Sequence, residues 1–116
     1  MSQFENLRVW QQARIVVREV GAIAAGMRDQ AGLGSQMRRA AISVASNIAE
    51  GAGRRHDRDR RRFLDIARAS ADEVRAQLAL ALDAGCIGQD EYARVQVEVV
   101  SVGKMLTRFI QYLDEP

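Results

Sequence analysis

The residues of this chain whose types could support chemistry are concentrated between positions 35 and 62. The first part of this stretch has a helical pattern but contains Asn47, and asparagine has a poor helix propensity because its amide competes for backbone hydrogen bonds. Glu50 could face Glu73 of a later helix, yet two carboxylates alone are a weak pattern for acid–base catalysis. We therefore expect a structural hydrogen-bond network formed by Ser46, Asn47 and Glu50, with contact to a ligand or a nucleic acid as the alternative.

The sequence is poor in the residue types that catalysis and metal binding require. His56 is its only histidine and Cys86 its only cysteine, so it has no His/Cys cluster of the kind that binds a metal. The glycines at positions 51–53 follow a helical segment instead of linking a strand to a helix, which is not the arrangement of a nucleotide-binding loop. The sequence therefore predicts a protein that is not an enzyme and needs no metal or cofactor.

Arginines are concentrated directly after these glycines, in residues 54–62, which we call the basic corner. It contains six arginines and two aspartates, a net charge of +4, whereas the whole chain has +2. Such a local positive field attracts phosphate groups. The alternative is that the arginines have no binding role, and merely solvate the start of a helix and pair with acids one turn away. Because the corner contains no aromatic residue, we expect binding that is electrostatic, salt-sensitive and weakly sequence-specific. The residues predicted to contact RNA or DNA are Arg38, Arg39, Arg54, Arg55, Arg58, Arg60, Arg61 and Arg62.

Four amphipathic segments must position these residues. In each of them apolar side chains recur in steps of three and four, the spacing of one helix face, and the only proline is at position 116. Ser35 is the predicted N-cap of the second helix. Short loops make consecutive helices antiparallel, so the sequence predicts one all-α domain over residues 1–116, an antiparallel up-down-up-down four-helix bundle. The predicted helices cover residues 5–27, 35–51, 57–84 and 89–113.

The first and fourth helices carry more apolar residues than one seam requires. In the first helix, Trp10 and Val17 belong to one line, while Val9, Val16 and Ile23 form a second line that widens the face. A face this wide indicates contact with another subunit, so we expect a homo-oligomer, with a monomer as the alternative.

The compartment follows from what the sequence lacks. It has no apolar run long enough to cross a membrane, its N-terminus lacks the pattern of a signal peptide, and a single cysteine cannot form an internal disulfide. We therefore expect a cytoplasmic protein with no membrane association.

Four segments of the chain resemble, in order, the four-helix-bundle family of the 23S ribosomal RNA intervening-sequence proteins. The segments are FENLRVWQQA, GLGSQMRRAAISVASNIAEGAGRR, FLDIARASADEVRAQLALALDAG and GKMLTRFIQYL. Ala45 stands where the family often has proline, which should straighten the second helix. Ala52 stands where the family often has an aromatic residue, which makes stacking at the corner less favourable.

The resemblance implies a bacterial cytoplasmic protein that assembles as a ring, commonly a homopentamer. It also implies a relation to the accessory proteins of diversity-generating retroelements, whose basic pentameric barrel is thought to contact nucleic acid and the polymerase. The leading hypothesis is therefore a non-enzymatic homo-oligomer that binds RNA or DNA through the basic corner. The second is a protein-interaction scaffold or accessory factor, for example to a polymerase, that uses the apolar excess of the first and fourth helices. The third is an enzyme or small-ligand site around Asn47 and Glu50.

Overall fold

The structure, a computed structural model, describes residues 4–28 and 31–115 and consists of four long α-helices preceded by a 3-10 helix. No strand occurs among these residues, so the predicted all-α class is confirmed. The 3-10 helix covers Phe4–Asn6, and the α-helices are α1 Arg8–Gly26, α2 Leu33–Ala52, α3 Asp57–Asp83 and α4 Gln89–Asp114.

The four helices form a square in which each contacts its two neighbours. α1 packs against α2 and α4, and α3 packs against the same two helices, so α1 and α3 lie on one diagonal. The described residues measure 47 × 24 × 22 Å, about the length of one long helix in the first dimension. The predicted up-down-up-down four-helix bundle is therefore confirmed. Contact is most extensive between alanine-rich α2 and α3.

The two apolar lines predicted for α1 are buried to different extents. The second line of this helix, Val9, Val16 and Ile23, is buried, whereas Trp10 and Val17 of the first line are half-buried and pack against the core. Contacts with both α2 and α4 therefore cover the wide apolar face of α1. The expectation of an exposed apolar excess on α1 is wrong. The large exposed apolar side chains of the described residues lie on α2, α3 and α4: Ile42, Ile66, Leu80, Val97 and Tyr112.

Two helix starts differ from the predicted ones. α2 begins at Leu33 because Gly32 is the N-cap, with a φ of 76° in the left-handed region that glycine adopts without strain. Ser35 therefore lies exposed within the first turn, and its predicted role as N-cap is wrong. α1 begins at Arg8 because Leu7 has an extended backbone, with φ −75° and ψ 127°, which separates α1 from the 3-10 helix.

Side chains join α1 to α4 at two points. The Gln12 amide donates a hydrogen bond of 2.6 Å to the carboxylate of Glu98, and the Arg94 guanidinium lies 2.6 Å from the carboxylate of Glu19. The hydrogen bond and the charge of Glu19 raise the pKa of Arg94 above its usual value. Since the ion pair is exposed, we expect it to set the register of the two helices more than their stability.

The close approach of α2 and α3 yields a prediction about Gly51, which is buried. A Cβ at this position would lie 3.1 Å from the Cβ of Phe63 and 3.2 Å from the carbonyl oxygen of Arg60. Gly51→Ala is therefore expected to lower the free energy of unfolding by about 1–3 kcal/mol, because α3 must move away from α2. The measurement is urea denaturation at a fixed protein concentration.

Gly103 in α4 supplies the matched control, since an added Cβ there meets nothing within 4 Å. Gly103→Ala is expected to raise the free energy of unfolding by about 0.5–1 kcal/mol, because alanine loses less backbone entropy in a helix. Equal effects of the two substitutions would contradict the steric explanation.

Candidate nucleic-acid interface

The basic corner consists of a short turn between two long helices and the first residues of the second one. α2 ends at Ala52 and α3 begins at Asp57. The amide of Gly53 donates to the carbonyl oxygens of Ala49 and Glu50, at 3.3 and 3.2 Å, which closes the end of α2. The acids in the first turn of α3, Asp57 and Asp59, lie where the helix dipole favours negative charge.

A side chain of α3 fixes the conformation of this turn. The Nε atom of Arg60 donates a hydrogen bond of 2.8 Å to the carbonyl oxygen of Arg54. Arg54 and Arg55 therefore belong to a connection whose conformation is fixed, and the other arginines of the corner follow on the first residues of α3.

Three of the six arginines in the corner are paired with carboxylates. The Arg54 guanidinium lies 2.6 Å from Glu50, and that of Arg60 lies 3.1 Å from Asp57. Arg61 forms an ion pair with Asp114 at the end of α4. The last pair joins residues far apart in sequence, because α4 ends at the same end of the bundle where α3 begins.

The remaining three arginines, Arg55, Arg58 and Arg62, are exposed and have no carboxylate partner among the described residues. Arg58 and Arg62 lie one turn apart on the same face of α3, and Arg55 precedes that helix. We call these three the free arginine triplet. Of the six arginines in the basic corner, three therefore carry a positive charge that no carboxylate of the described residues neutralises.

Two aromatic rings that the sequence pattern did not place at the corner lie beside it. The Arg54 guanidinium is 4.6 Å from the ring centre of Phe63, and that of Arg62 is 5.8 Å from it. Phe4, brought in by the 3-10 helix, lines an open depression of about 540 Å³ together with Glu50 and Arg54. Phe63 directly follows the corner in sequence and could have been noticed, whereas the position of Phe4 depends on tertiary packing. Because arginines cover the ring of Phe63, a base could stack on it only after displacing them.

Arg38 and Arg39 do not join the corner. They lie in the first half of α2, and Arg39 is 15 residues, or roughly 22 Å of helix, from Arg54. Arg38 donates a hydrogen bond of 3.4 Å to the carbonyl oxygen of Gly21 on α1, and Arg39 is exposed without an ion pair in the described part of the chain. The structure therefore separates the eight predicted arginines into two groups.

The polar residues of α2 are also divided between two places. The amide of Asn47 donates to the carbonyl oxygen of Ser43 at 2.8 Å, and the Ser43 hydroxyl is 2.9 Å from that of Ser70 on α3. A hydrogen-bonded link thus crosses from α2 to α3 and contains Asn47. Ser46 is exposed and lies outside this link, and Glu50 pairs with Arg54 at the corner instead.

The residues considered for catalysis and metal binding lie apart from one another. His56 is exposed at the start of α3, and Cys86 is half-buried against the core. Across residues 4–28 and 31–115, no group of three or more His, Cys, Asp or Glu residues is placed to hold a metal ion. Over the same residues, every helix is too short or too polar to span a bilayer.

Comparison with known proteins identifies the family. Residues 5–108, which include α1, α2, α3 and most of α4, match the family described as 23S rRNA-intervening sequence protein. The chain belongs to this family. A similar fold occurs in the crystal structure of a protein with unknown function from the S23 ribosomal protein family of Bacteroides thetaiotaomicron. That structure has a TM-score of 0.82 and 19% sequence identity, over 88% of this chain and 97% of that one. Among curated proteins, none matches the chain.

The hydrogen-bonded link between α2 and α3 in this intervening-sequence family member leads to a prediction. Ser70→Ala removes the hydroxyl that Ser43 contacts and is expected to lower the free energy of unfolding by about 0.5–1.5 kcal/mol, because the half-buried Ser43 hydroxyl keeps only its hydrogen bond from the Asn47 amide. Ser46→Ala, on the exposed face of α2, is the control and is expected to change it by less than about 0.5 kcal/mol. Thermal or urea unfolding measures both, and a larger loss for Ser46→Ala would contradict the assignment.

Proposed function

We propose that this protein is a non-enzymatic, homo-oligomeric helical-bundle protein of the bacterial cytoplasm that binds the phosphate backbone of RNA or DNA through the basic corner. The supporting observation is the free arginine triplet, whose three guanidinium groups are exposed and lack carboxylate partners among the described residues. An unpaired guanidinium keeps its hydrogen-bond donors for a phosphate, which it binds in a bidentate geometry.

The surroundings of the triplet favour contact with phosphates over recognition of bases. Arg54 and Arg62 lie over the ring of Phe63, so this platform for stacking is occupied. Contacts with phosphates position a nucleic acid but carry no sequence information. We therefore expect little sequence preference and a strong dependence on salt.

One protomer offers few phosphate contacts, so the affinity depends on how many protomers bind the same nucleic acid. A ring of copies, commonly five according to the family resemblance, presents the triplet once per copy on the same nucleic acid. Linked weak contacts gain a large effective concentration when the geometry allows them to bind together. The homo-oligomer is thus part of the proposed function, since it converts a weak site into a useful one.

The test is a filter-binding titration of a 20-nucleotide RNA and of a DNA duplex of the same length, over a series of salt concentrations. The double variant Arg55→Gln/Arg58→Gln is expected to bind more weakly. Because two phosphate contacts per protomer are lost, the slope of log K against log salt on duplex DNA should fall by about 2 for each bound protomer.

The matched control is Arg54→Gln/Arg61→Gln, which removes the same charge from the same corner and leaves Arg60, which fixes the turn, in place. Arg54 and Arg61 are already paired with Glu50 and Asp114, so this variant is expected to retain the salt slope of the unmodified protein. The proposal is wrong if the unmodified protein shows no salt-sensitive binding, or if the two double variants bind alike.

A second candidate function is a scaffold or accessory factor for a protein such as a polymerase, and one surface of α4 favours it. Val97 is 67% exposed and lines, with Val100 and Met105, a shallow depression of about 470 Å³. Exposed apolar area of this kind marks protein contact sites. A pull-down with nuclease treatment tests this function. A captured protein that survives the nuclease and is lost with Val97→Glu supports it, and capture that depends on nucleic acid contradicts it.

A further inference from the structure

The outer face of α3 carries a second apolar line that the bundle leaves exposed. Ile66 and Leu80 are 41% and 56% exposed, and exposed alanines lie between them. The line advances in steps of three and four, which is the spacing of a seam that packs against another helix. Its members, which we call the α3 outer seam, are Ile66, Ala69, Glu73, Ala76 and Leu80.

Acidic side chains accompany the α3 outer seam. Glu73 lies at its centre and accepts a hydrogen bond of 3.4 Å from Gln77. Asp83, at the end of α3, is exposed and has no ion pair among the described residues. Asp65 and Asp72 pair with arginines of α3 itself. A carboxylate at the centre of an apolar contact must meet a cation if it is to be buried.

The groove between α1 and α2 has the opposite charge and a similar apolar content. It holds about 300 Å³ and is lined by Val17, Ile42 and Ala45 together with Arg14 and Arg18. Ile42 is 46% exposed, and neither arginine has a carboxylate partner in the part of the chain that the structure describes. An apolar floor with a charged rim is the usual composition of a protein–protein contact.

The walls of this groove also lack acids that could neutralise it. Residues 8–18 of α1 and 33–49 of α2 contain no aspartate or glutamate. The first acid of α1, Glu19, lies 2.6 Å from Arg94 on α4, on the other side of the helix. Arg38 adds positive charge beside the groove, where it reaches the carbonyl oxygen of Gly21. The groove between α1 and α2 is therefore positive without internal compensation.

We infer that the α3 outer seam of one copy of this protein packs into the α1–α2 groove of a second copy, with Glu73 facing Arg14 and Arg18. Each surface supplies exposed apolar side chains, and the unpaired charges of the two have opposite sign. The lengths are compatible, since the seam from Ile66 to Leu80 spans roughly 21 Å and the helices that form the groove, α1 and α2, span roughly 28 and 30 Å. The first turns of α3, with Arg58 and Arg62, then remain outside the contact.

The contact is heterologous, because each copy contributes a different surface to each of its two neighbours. α3 lies diagonally opposite α1 in the bundle, so a copy uses its seam and its groove at the same time. Such a contact repeats until it closes into a ring or grows as a filament. The inference rests on the homo-oligomeric part of the proposed function and is independent of nucleic-acid binding.

The test measures molar mass by light scattering on nucleic-acid-free protein. The unmodified protein is expected at a multiple of 12.9 kDa. Reversing the charges of the groove, with Arg14→Glu/Arg18→Glu, or those of the seam, with Glu73→Arg/Asp83→Arg, is expected to weaken assembly at least about 100-fold and to give the monomer at micromolar concentrations, because like charges then face each other. Circular dichroism checks that each variant is helical.

Mixing the two variants distinguishes this contact from any symmetric one. The groove variant keeps an intact seam and the seam variant keeps an intact groove, and the two altered surfaces are again opposite in charge. The mixture is therefore expected to regain an assembly larger than the 12.9 kDa monomer that each variant forms alone. Combining all four substitutions in one chain is expected to restore the larger assembly, since the charges are again opposite. Ala76→Arg, which blocks the seam by size, is a second route to the monomer.

The matched control is Lys104→Glu/Arg108→Glu, a pair of exposed cations at the same spacing on α4, outside both surfaces. This variant is expected to keep the mass of the unmodified protein.

The inference is overturned if the unmodified protein is monomeric, if neither charge reversal changes its mass, or if the control dissociates it as well. It is also overturned if the groove variant keeps its mass and loses only RNA binding in the filter assay, because the groove would then be a nucleic-acid surface. If Arg55→Gln/Arg58→Gln loses RNA binding at unchanged mass, that result supports the proposed function and does not bear on the contact between copies.

Discussion

The close approach of α2 to α3 at Gly51 is the constraint on which the rest of the structure depends. With no side chain at this position, Phe63 and the backbone of Arg60 lie against α2 at van der Waals distance. The connection from α2 to α3 can then be short, and Arg60 reaches back to the carbonyl oxygen of Arg54. The arginines of the corner therefore lie on a fixed turn and on the start of α3, at one end of the bundle. The small residues along α2 extend the same close packing toward its N-terminal half.

The fold was predictable from the sequence because its main signal is periodic. Steps of three and four among apolar residues, glycine-containing loops and the lack of internal proline were sufficient for four antiparallel helices. The features that were not predicted depend on backbone conformation and on which helices pack against each other. Gly32 takes a left-handed conformation that replaces Ser35 as the cap, and α1 has two apolar lines because it packs against two helices. Periodicity shows that a face is wide, but it does not show what covers it.

The candidate site was less predictable because charge pairing acts over long stretches of sequence. The arginine cluster is visible in residues 54–62, but Asp114 removes Arg61 from the unpaired set only because α4 ends beside the start of α3. In the same way, Arg39 is close to the corner in sequence and about 22 Å from it along a rigid helix. The link from Ser43 to Ser70 needed both helices to be in place before its partners could be known. Sequence therefore indicates which charges exist, and tertiary structure decides which of them remain unpaired.

The division of the corner arginines into paired and free also separates side chains with many contacts from side chains with few. Arg54, held by Glu50 and by the ring of Phe63, has already lost much of its rotamer freedom. Arg55 and Arg58 have no such contact and retain theirs, whereas Arg62 lies 5.8 Å from the same ring without an ion pair. Immobilising a free side chain on a phosphate costs about 0.5–1.5 kcal/mol in conformational entropy. The side chains with the most available charge are thus the least preorganised. In the proposed function, contacts of this kind would form and break quickly and would favour movement along a nucleic acid over binding at one position on it.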